Sequence, residues 1–406
     1  MVVEGNPLCL KAFEAALRQA CDKGRKRWYT STLELQLASL DFCEICRSTP
    51  TLDVRVNDET PRSLWSPRKL QAGSNPSKSK VRISSRVPVV RALRLTWELP
   101  PNYMAESVAA DLSARLQELV FGDDFNQTVV GVAWPASLQR LAFGREFNQP
   151  IVGVAWPASL QQLEFEREFN QPIVGVAWPA SLRELWFGSG DGGKFDQPII
   201  GVEWPIYLRQ LSFARCDFNQ PIAGVVWSSA LRYLSFGRRF NQPIVGVQWP
   251  ASLQDLTFGD EDAGDFDQPV VGVTWPASLR FLEFGFFFNQ PIVGVAWPEH
   301  LQHLSFTNRF NQPIVGVKWP SSLLSLEFRG SFNQPVVGVQ WPASLQELSF
   351  GGQGWHSCFN QPIVGVQWPA TLQQLSFGDE FDQPMAGVVW PASLQRVTCR
   401  GGISLM

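Results

Sequence analysis

The sequence predicts a mostly β fold: a solenoid of twelve coils of about 22 residues, with a parallel strand-lined concave face and a small, partly helical N-terminal region. Three observations predict it. The motif Phe-(Asn/Asp)-Gln occurs twelve times, beginning at Phe125, Phe147, Phe169, Phe195, Phe218, Phe240, Phe266, Phe288, Phe310, Phe332, Phe359 and Phe381. Seven of the eleven spacings are 22 residues, and the others are 26, 23, 26 and 27. Each copy ends in an alternating apolar pattern, as at Leu160, Leu163 and Phe165. Composition is also skewed, with 17 Trp and 29 Phe against 4 Tyr and 4 Met. One multiplied unit gives that skew, whereas 406 residues would otherwise suggest two or three separate domains.

Taken in order, Leu8, Leu10, Phe13 and Leu17 are separated by Lys11, Glu14 and Arg18. That spacing predicts an amphipathic helix over Leu8 to Cys21 rather than the continuous apolar run of a signal peptide. Lys23, Arg25, Lys26 and Arg27 read as a solvated helix end in preference to a nuclear-import or phosphate-binding signal. Thr32 to Phe42 is apolar enough to be ordered, as strand or helix. Residues 1–65 form this first region. Residues 66–88, rich in Ser, Pro, Lys and Arg, read as a disordered basic linker. Residues 1–88 hold 15 Lys/Arg against 9 Asp/Glu, net +6, whereas 89–406 hold 19 against 28, net −9. The change of sign accompanies the change of pattern.

Val90, Leu93 and Leu95, and then Leu116, Leu119 and Phe121, repeat the apolar spacing of a coil without its other residues. A helix from Ala105 to Leu116 fits between them. Residues 89–124 are therefore read as an N-terminal cap coil, terminal repeats being atypical, and 125–406 as the repeat solenoid. At the far end Val397 and Cys399 replace Leu and Phe, and no polar cap follows. An open parallel edge offers end-to-end self-association; a frayed or protectively folded tail is expected ahead of it.

Within a coil, Leu163 and Phe165 lie two apart, so they share one strand face and point inward. All length changes fall after this strand, which places loops at Ser189 to Lys194, Asp260 to Asp265 and Gly351 to Cys358 on one rim. Asn follows the turn Phe in nine copies and Asp in three, at Asp196, Asp267 and Asp382. What the two share is an acceptor oxygen, suited to backbone N–H groups in the turn. Ile-Val-Gly-Val, with the Trp-Pro that follows, is read as a short extended return path. Its Gly takes a positive φ or lets backbones approach closely. Trp occurs in every copy, from Trp134 to Trp390. A sugar-stacking ladder is one reading; a buried tryptophan column is favoured, because ligand sites rarely need the same side chain in every coil. Burying each large side chain offers about 1.5–3 kcal/mol, most of it offset by ordering the chain, so stacking is what stabilises a coil.

The unit resembles the FNIP repeat, a variant of the leucine-rich repeat. The residues that carry the resemblance are Phe147-Asn148-Gln149-Pro150-Ile151, Trp156-Pro157-Ala158-Ser159-Leu160, Leu163 and Phe165, with their equivalents from about Leu116 to Cys399. Gly153 stands about one place early for that family, and Trp156 where Leu or Ile is commoner. The Asn is displaced from the ladder position of L-x-x-L-x-L-x-x-N, so spacing alone does not predict a regular asparagine ladder. The resemblance implies a curved solenoid, a strand-lined concave face and protein binding. Some family members join an F-box to the repeats, but residues 1–88 show no F-box pattern.

Function is read from what the solenoid exposes. A net charge of −3 predicts no strongly basic nucleic-acid binder, and no stretch approaches a membrane span. Seven cysteines at irregular spacing read as reduced thiols of a cytosolic or nuclear chain, and a cytoplasmic location is expected. Cys43 and Cys46 are the one close pair and read as ordinary thiols, so no metal and no cofactor is expected. His300, His303 and His356 form no catalytic set, and the acids Glu164, Glu184, Asp255, Glu283, Glu327 and Glu347 are scattered, though Glu327 and Glu347 are near one another. No enzyme is expected. Arg183, Arg209 and Arg232 hold one place in three consecutive coils, with Trp186 and Tyr233 nearby and Arg280 and Phe281 two coils on. Arg among exposed aromatics is the composition of a protein-binding hot spot. An acidic or phosphorylated peptide partner would suit the Arg row.

Overall fold

The computed structural model describes residues 116–188, 192–259, 263–351 and 357–399, together with the backbone of strands at Leu33–Glu34, Thr51–Arg55, Ala92–Leu95 and Gly402–Leu405. The expected helix at Leu8 to Cys21, the basic cluster 23–27, the Cys43/Cys46 pair, the linker 66–88 and the span from Ala105 up to Leu116 lie outside the described residues. In chain order the strands are β1 Leu33–Glu34, β2 Thr51–Arg55, β3 Ala92–Leu95, β4 Glu118–Phe121, β5 Arg140–Phe143, β6 Gln162–Phe165, β7 Glu184–Phe187, β8 Gln210–Ser212, β9 Tyr233–Phe236, β10 Asp255–Phe258 and β11 Phe281–Phe284. They continue as β12 His303–Phe306, β13 Ser325–Phe328, β14 Glu347–Ser349, β15 Gln374–Ser376, β16 Arg396–Cys399 and β17 Gly402–Leu405. No helix occurs among the described residues.

Each strand from β1 to β16 pairs in parallel with the next, without a register slip through the repeats. Leu163 stands opposite Leu141 and Leu185, and Phe165 opposite Phe143 and Phe187. The register follows from burial, because a one-residue slip would turn every Leu and Phe outward. β17 turns back antiparallel onto β16.

Three aromatic columns fill the interior. Strand-end Phe rings stack from coil to coil at 5.3 Å (Phe121 on Phe143) to 6.2 Å (Phe213 on Phe236). The turn Phe rings stack at 5.9 to 6.2 Å. Tryptophans such as Trp134 and Trp156, or Trp249 and Trp275, stack at 6.1 and 6.5 Å. Hydrogen-bonded strands repeat at about 4.8 Å. A stack with a shorter repeat on its strand side must curve with the strands on the inside, so the strands line the concave face.

The tryptophan column is buried or half-buried in the core, with Trp204, Trp227 and Trp275 each 8 % exposed. The indole N–H groups from Trp134 to Trp368 are buried with no hydrogen-bond acceptor. The column is therefore held by apolar area and ring packing. Trp134 meets Phe121 and Phe143 edge to face at 77° and 83°.

The Ile-Val-Gly-Val segment turns rather than running extended. Val154 N–H donates to Ile151 O at 3.2 Å, and Gly153 has φ +86°, the type II pattern with Gly at its third place. Nothing lies within 4 Å of where a Gly153 Cβ would be, so positive φ, not close approach, requires glycine there. Pro157-Ala158-Ser159-Leu160 makes a second turn.

Two polar ladders tie the coils. Asn148 N–H and Gln149 Nε2–H both donate to Asn126 Oδ1, at 3.0 and 2.9 Å. The same pair of bonds recurs coil after coil as far as Asn360, which accepts from Asp382 N–H and Gln383 Nε2–H. The ladder is regular although its Asn is displaced from the usual place, and it joins neighbouring coils rather than closing one turn. Asp196 serves equally, accepting from Asn219 N–H and Gln220 Nε2–H, because only an oxygen is used. In the second ladder the Ser159 hydroxyl donates to Leu138 O at 2.6 Å, as Ser181 does to Leu160 O.

Candidate functional site

Alternation in the strands sends Leu and Phe into the core and leaves two rows facing the concave side. The first strand residues form one row, with Gln210, Tyr233, Asp255, Phe281 and His303 in successive register. The third residues form another, in which Glu164, Trp186, Ser212, Ser235 and Thr257 follow one another. A further row lies just before the strands. There Arg209 N–H donates to Arg183 O, Arg232 N–H to Arg209 O, Gln254 N–H to Arg232 O and Arg280 N–H to Gln254 O, at 2.7 to 2.8 Å.

Arg183, Arg209 and Arg232 thus stand side by side at the strand entrance, and Arg280 continues the line beyond Gln254. All four are exposed. Among the described residues no ion pair engages Arg183, Arg209 or Arg232. Tyr233 and Phe281 share the first row, one strand to either side of Asp255. Trp186 does not join them. It lies two strands before Tyr233 and in the other row, beside an open hollow of about 430 Å³ bounded by Glu164, Ser212, Ala214 and Arg215. Arg215 adopts φ 62°, the one positive value outside glycine among the described residues. It sits where the 23-residue coil takes up its extra residue, next to the buried Cys216, whose thiol donates to Phe213 O.

The face is electrostatically uneven. In the first coils Arg140 sits between Glu118 at 2.9 Å and Glu164 at 3.5 Å. Near the other end Glu327 is paired with Arg329 at 2.8 Å. Between these, Asp255 is half-buried. Its burial holds the carboxyl above the ordinary carboxylate range, while Arg280 and His303 pull it down. Glu327 and Glu347, near in sequence, fall in different rows of β13 and β14. Among the described residues no group of three or more His, Cys, Asp or Glu is placed to hold a metal ion. No helix among them is long and apolar enough to cross a membrane.

The FNIP repeat pattern matches residues 147–190, 218–261 and 310–353, each match opening on a turn phenylalanine and spanning two coils. The chain is an FNIP-repeat protein. Its fold is also seen in CroV588, a circular leucine-rich-repeat protein, with 37 % identity and a TM-score of 0.65 over 76 % of this chain and 43 % of that one. Toll, in its Drosophila complex with Spatzle, aligns at 13 % identity with a TM-score of 0.48 over 76 % of this chain and 39 % of that one. This FNIP-repeat chain spans less than half the length of either. Among curated proteins no relative matches it by sequence.

Sequence reasoning placed the FNIP strands and their outward positions but did not single out Asp255 from the other acids. The available signal was its place, first in its strand between two aromatics one coil away on each side. It also missed the Gln and Ser that build the ladders.

Proposed function

We propose that this FNIP-repeat protein is a non-catalytic, cytoplasmic scaffold that binds a partner protein or peptide on the concave face of its solenoid. The observation that carries this is the unengaged arginine line of Arg183, Arg209 and Arg232, presented on a face whose residues vary while the interior beneath them does not. A guanidinium row at about 4.8 Å spacing offers charge-assisted, bidentate bonds to carboxylates or phosphates, and Tyr233, Phe281 and Trp186 add aromatic anchors. An acidic segment is the partner that fits the line. The carbohydrate-binding alternative loses its ladder, because the tryptophan column is packed inside; Trp186 is the one indole on this face among the described residues.

The test is an affinity pulldown with the full chain, wild type against the triple variant Arg183→Glu, Arg209→Glu and Arg232→Glu. Partners should disappear from the variant while its melting temperature holds. An unchanged partner list removes the arginine line from the site. A rise in melting temperature with glycans, and none with acidic peptides, would replace the reading with the carbohydrate one.

A further inference from the structure

The strand carboxylates of the concave face are engaged with one exception. Glu118 and Glu164 accept from Arg140, Glu184 from Gln162, Glu327 from Arg329 and Glu347 from Gln374, and Glu283 also has an interaction within the chain. The Asp255 carboxylate makes no hydrogen bond and no ion pair with a described residue, although the residue is half-buried. A carboxylate withdrawn from water without a partner is costly, and Arg280 and His303, which act on it through space, make no ion pair with it. Its neighbours in register are both aromatic: Tyr233 on one side and Phe281 on the other. Phe281 is in turn backed by His303, their rings 6.2 Å apart.

We infer that the slot between Tyr233 and Phe281, floored by Asp255, seats the side chain of an arginine or lysine projecting from an extended segment of the partner protein. The inference rests on the concave-face reading and adds the partner's chemistry to it. With strands about 4.8 Å apart, a cation centred over the carboxylate stands within about 6 Å of both rings, the range of a cation–π contact. The seated cation supplies the donor that Asp255 lacks. Arg232 and Arg280, at the strand entrance on either side of the slot, call for acidic groups next to that base. The segment is therefore of mixed charge, a base flanked by acids, and not uniformly acidic.

An array of twelve-residue acidic peptides, with one position fixed in turn as Arg, Lys, Gln or Glu, is probed with the full chain. Wild type should retain the Arg and Lys peptides at least tenfold better than the Gln peptides at one position. Asp255→Asn should abolish that preference, and Asp255→Lys should turn it towards Glu. Phe281→Leu, which keeps the apolar bulk, should weaken it severalfold. Basic-residue enrichment that survives Asp255→Asn overturns the inference, as does a wild type showing no enrichment over Gln. Acidic peptides retained equally with Gln at every position would remove the slot while leaving the scaffold reading in place, because the arginine triple variant would still release them.

Discussion

Tyr233 and Leu234 are adjacent in one strand, yet they belong to regions under opposite constraints. The interior columns repeat the same residue from coil to coil because each ring is packed between two copies of itself. Phe236 lies between Phe213 and Phe258 and against Phe240 at 4.2 Å. A different side chain there would disturb two joints at once. On the first concave row each residue meets unlike neighbours and solvent, and identity changes freely: Gln210, Tyr233, Asp255, Phe281, His303. The contrast teaches that constant packing and variable surface are assigned to alternate residues of the same short strands.

Mutations can break or sharpen that contrast. The largest effect is expected for Phe236→Ala, which empties a fully buried ring position and should cost about 3–5 kcal/mol, whereas Phe281→Ala one face over should stay near 1 kcal/mol or below. Urea titration followed by tryptophan fluorescence measures both. Asn241→Leu comes next. It removes the acceptor used by Asp267 N–H and Gln268 Nε2–H, a loss of about 1–3 kcal/mol, while Asn241→Asp should be close to neutral because the oxygen is kept. A destabilising Asp would show that the ladder needs more than an acceptor.

Two glycines sharpen the comparison further. A Cβ on Gly237 would stand 2.3 Å from Cys216 O, so Gly237→Ala must displace backbone and should cost about 1–3 kcal/mol. Gly246 has open space around it and φ +84°, so Gly246→Ala should cost about 1–2 kcal/mol through the left-handed conformation alone. Hydrogen exchange should show the first disturbance spreading to the preceding coil and the second staying local.

The smallest effect is electrostatic. Burial raises the Asp255 carboxyl above its unfolded value of 3.8, so the folded chain binds the proton more tightly and stability falls as pH rises through that range. Asp255→Asn should therefore melt slightly higher than wild type near neutrality and lose the advantage as pH approaches 3.8. A lower melting temperature at neutral pH would show Asp255 to be a structural residue rather than one held ready for a partner.

The strands and the core were legible because their signal lies within a coil: Leu163 and Phe165 are two residues apart and alternate. The ladders were not, because Gln149 acts on Asn126 and Ser159 on Leu138, each about one coil away, where composition carries no trace of the pairing. The tryptophans were legible as a column because a ligand site does not repeat in every coil. The candidate slot was half legible. Arg183, Arg209, Arg232, Tyr233 and Phe281 stood out by residue type, but Asp255 acquires its character from register neighbours 22 and 26 residues away, and Trp186 fell in the other row, with Glu164 and Ser212, once the pairing was fixed.

The ladder oxygens have a direction: each coil offers an acceptor to the one that follows and takes one from the one before. In this ladder every junction from Asn126 to Gln383 is for that reason equivalent to every other. A whole coil duplicated or excised between two turn phenylalanines would find its ladder partners again. What such an event does change is the order of side chains on the inner surface, so gain and loss of units re-deals the exposed face while leaving the ladder untouched.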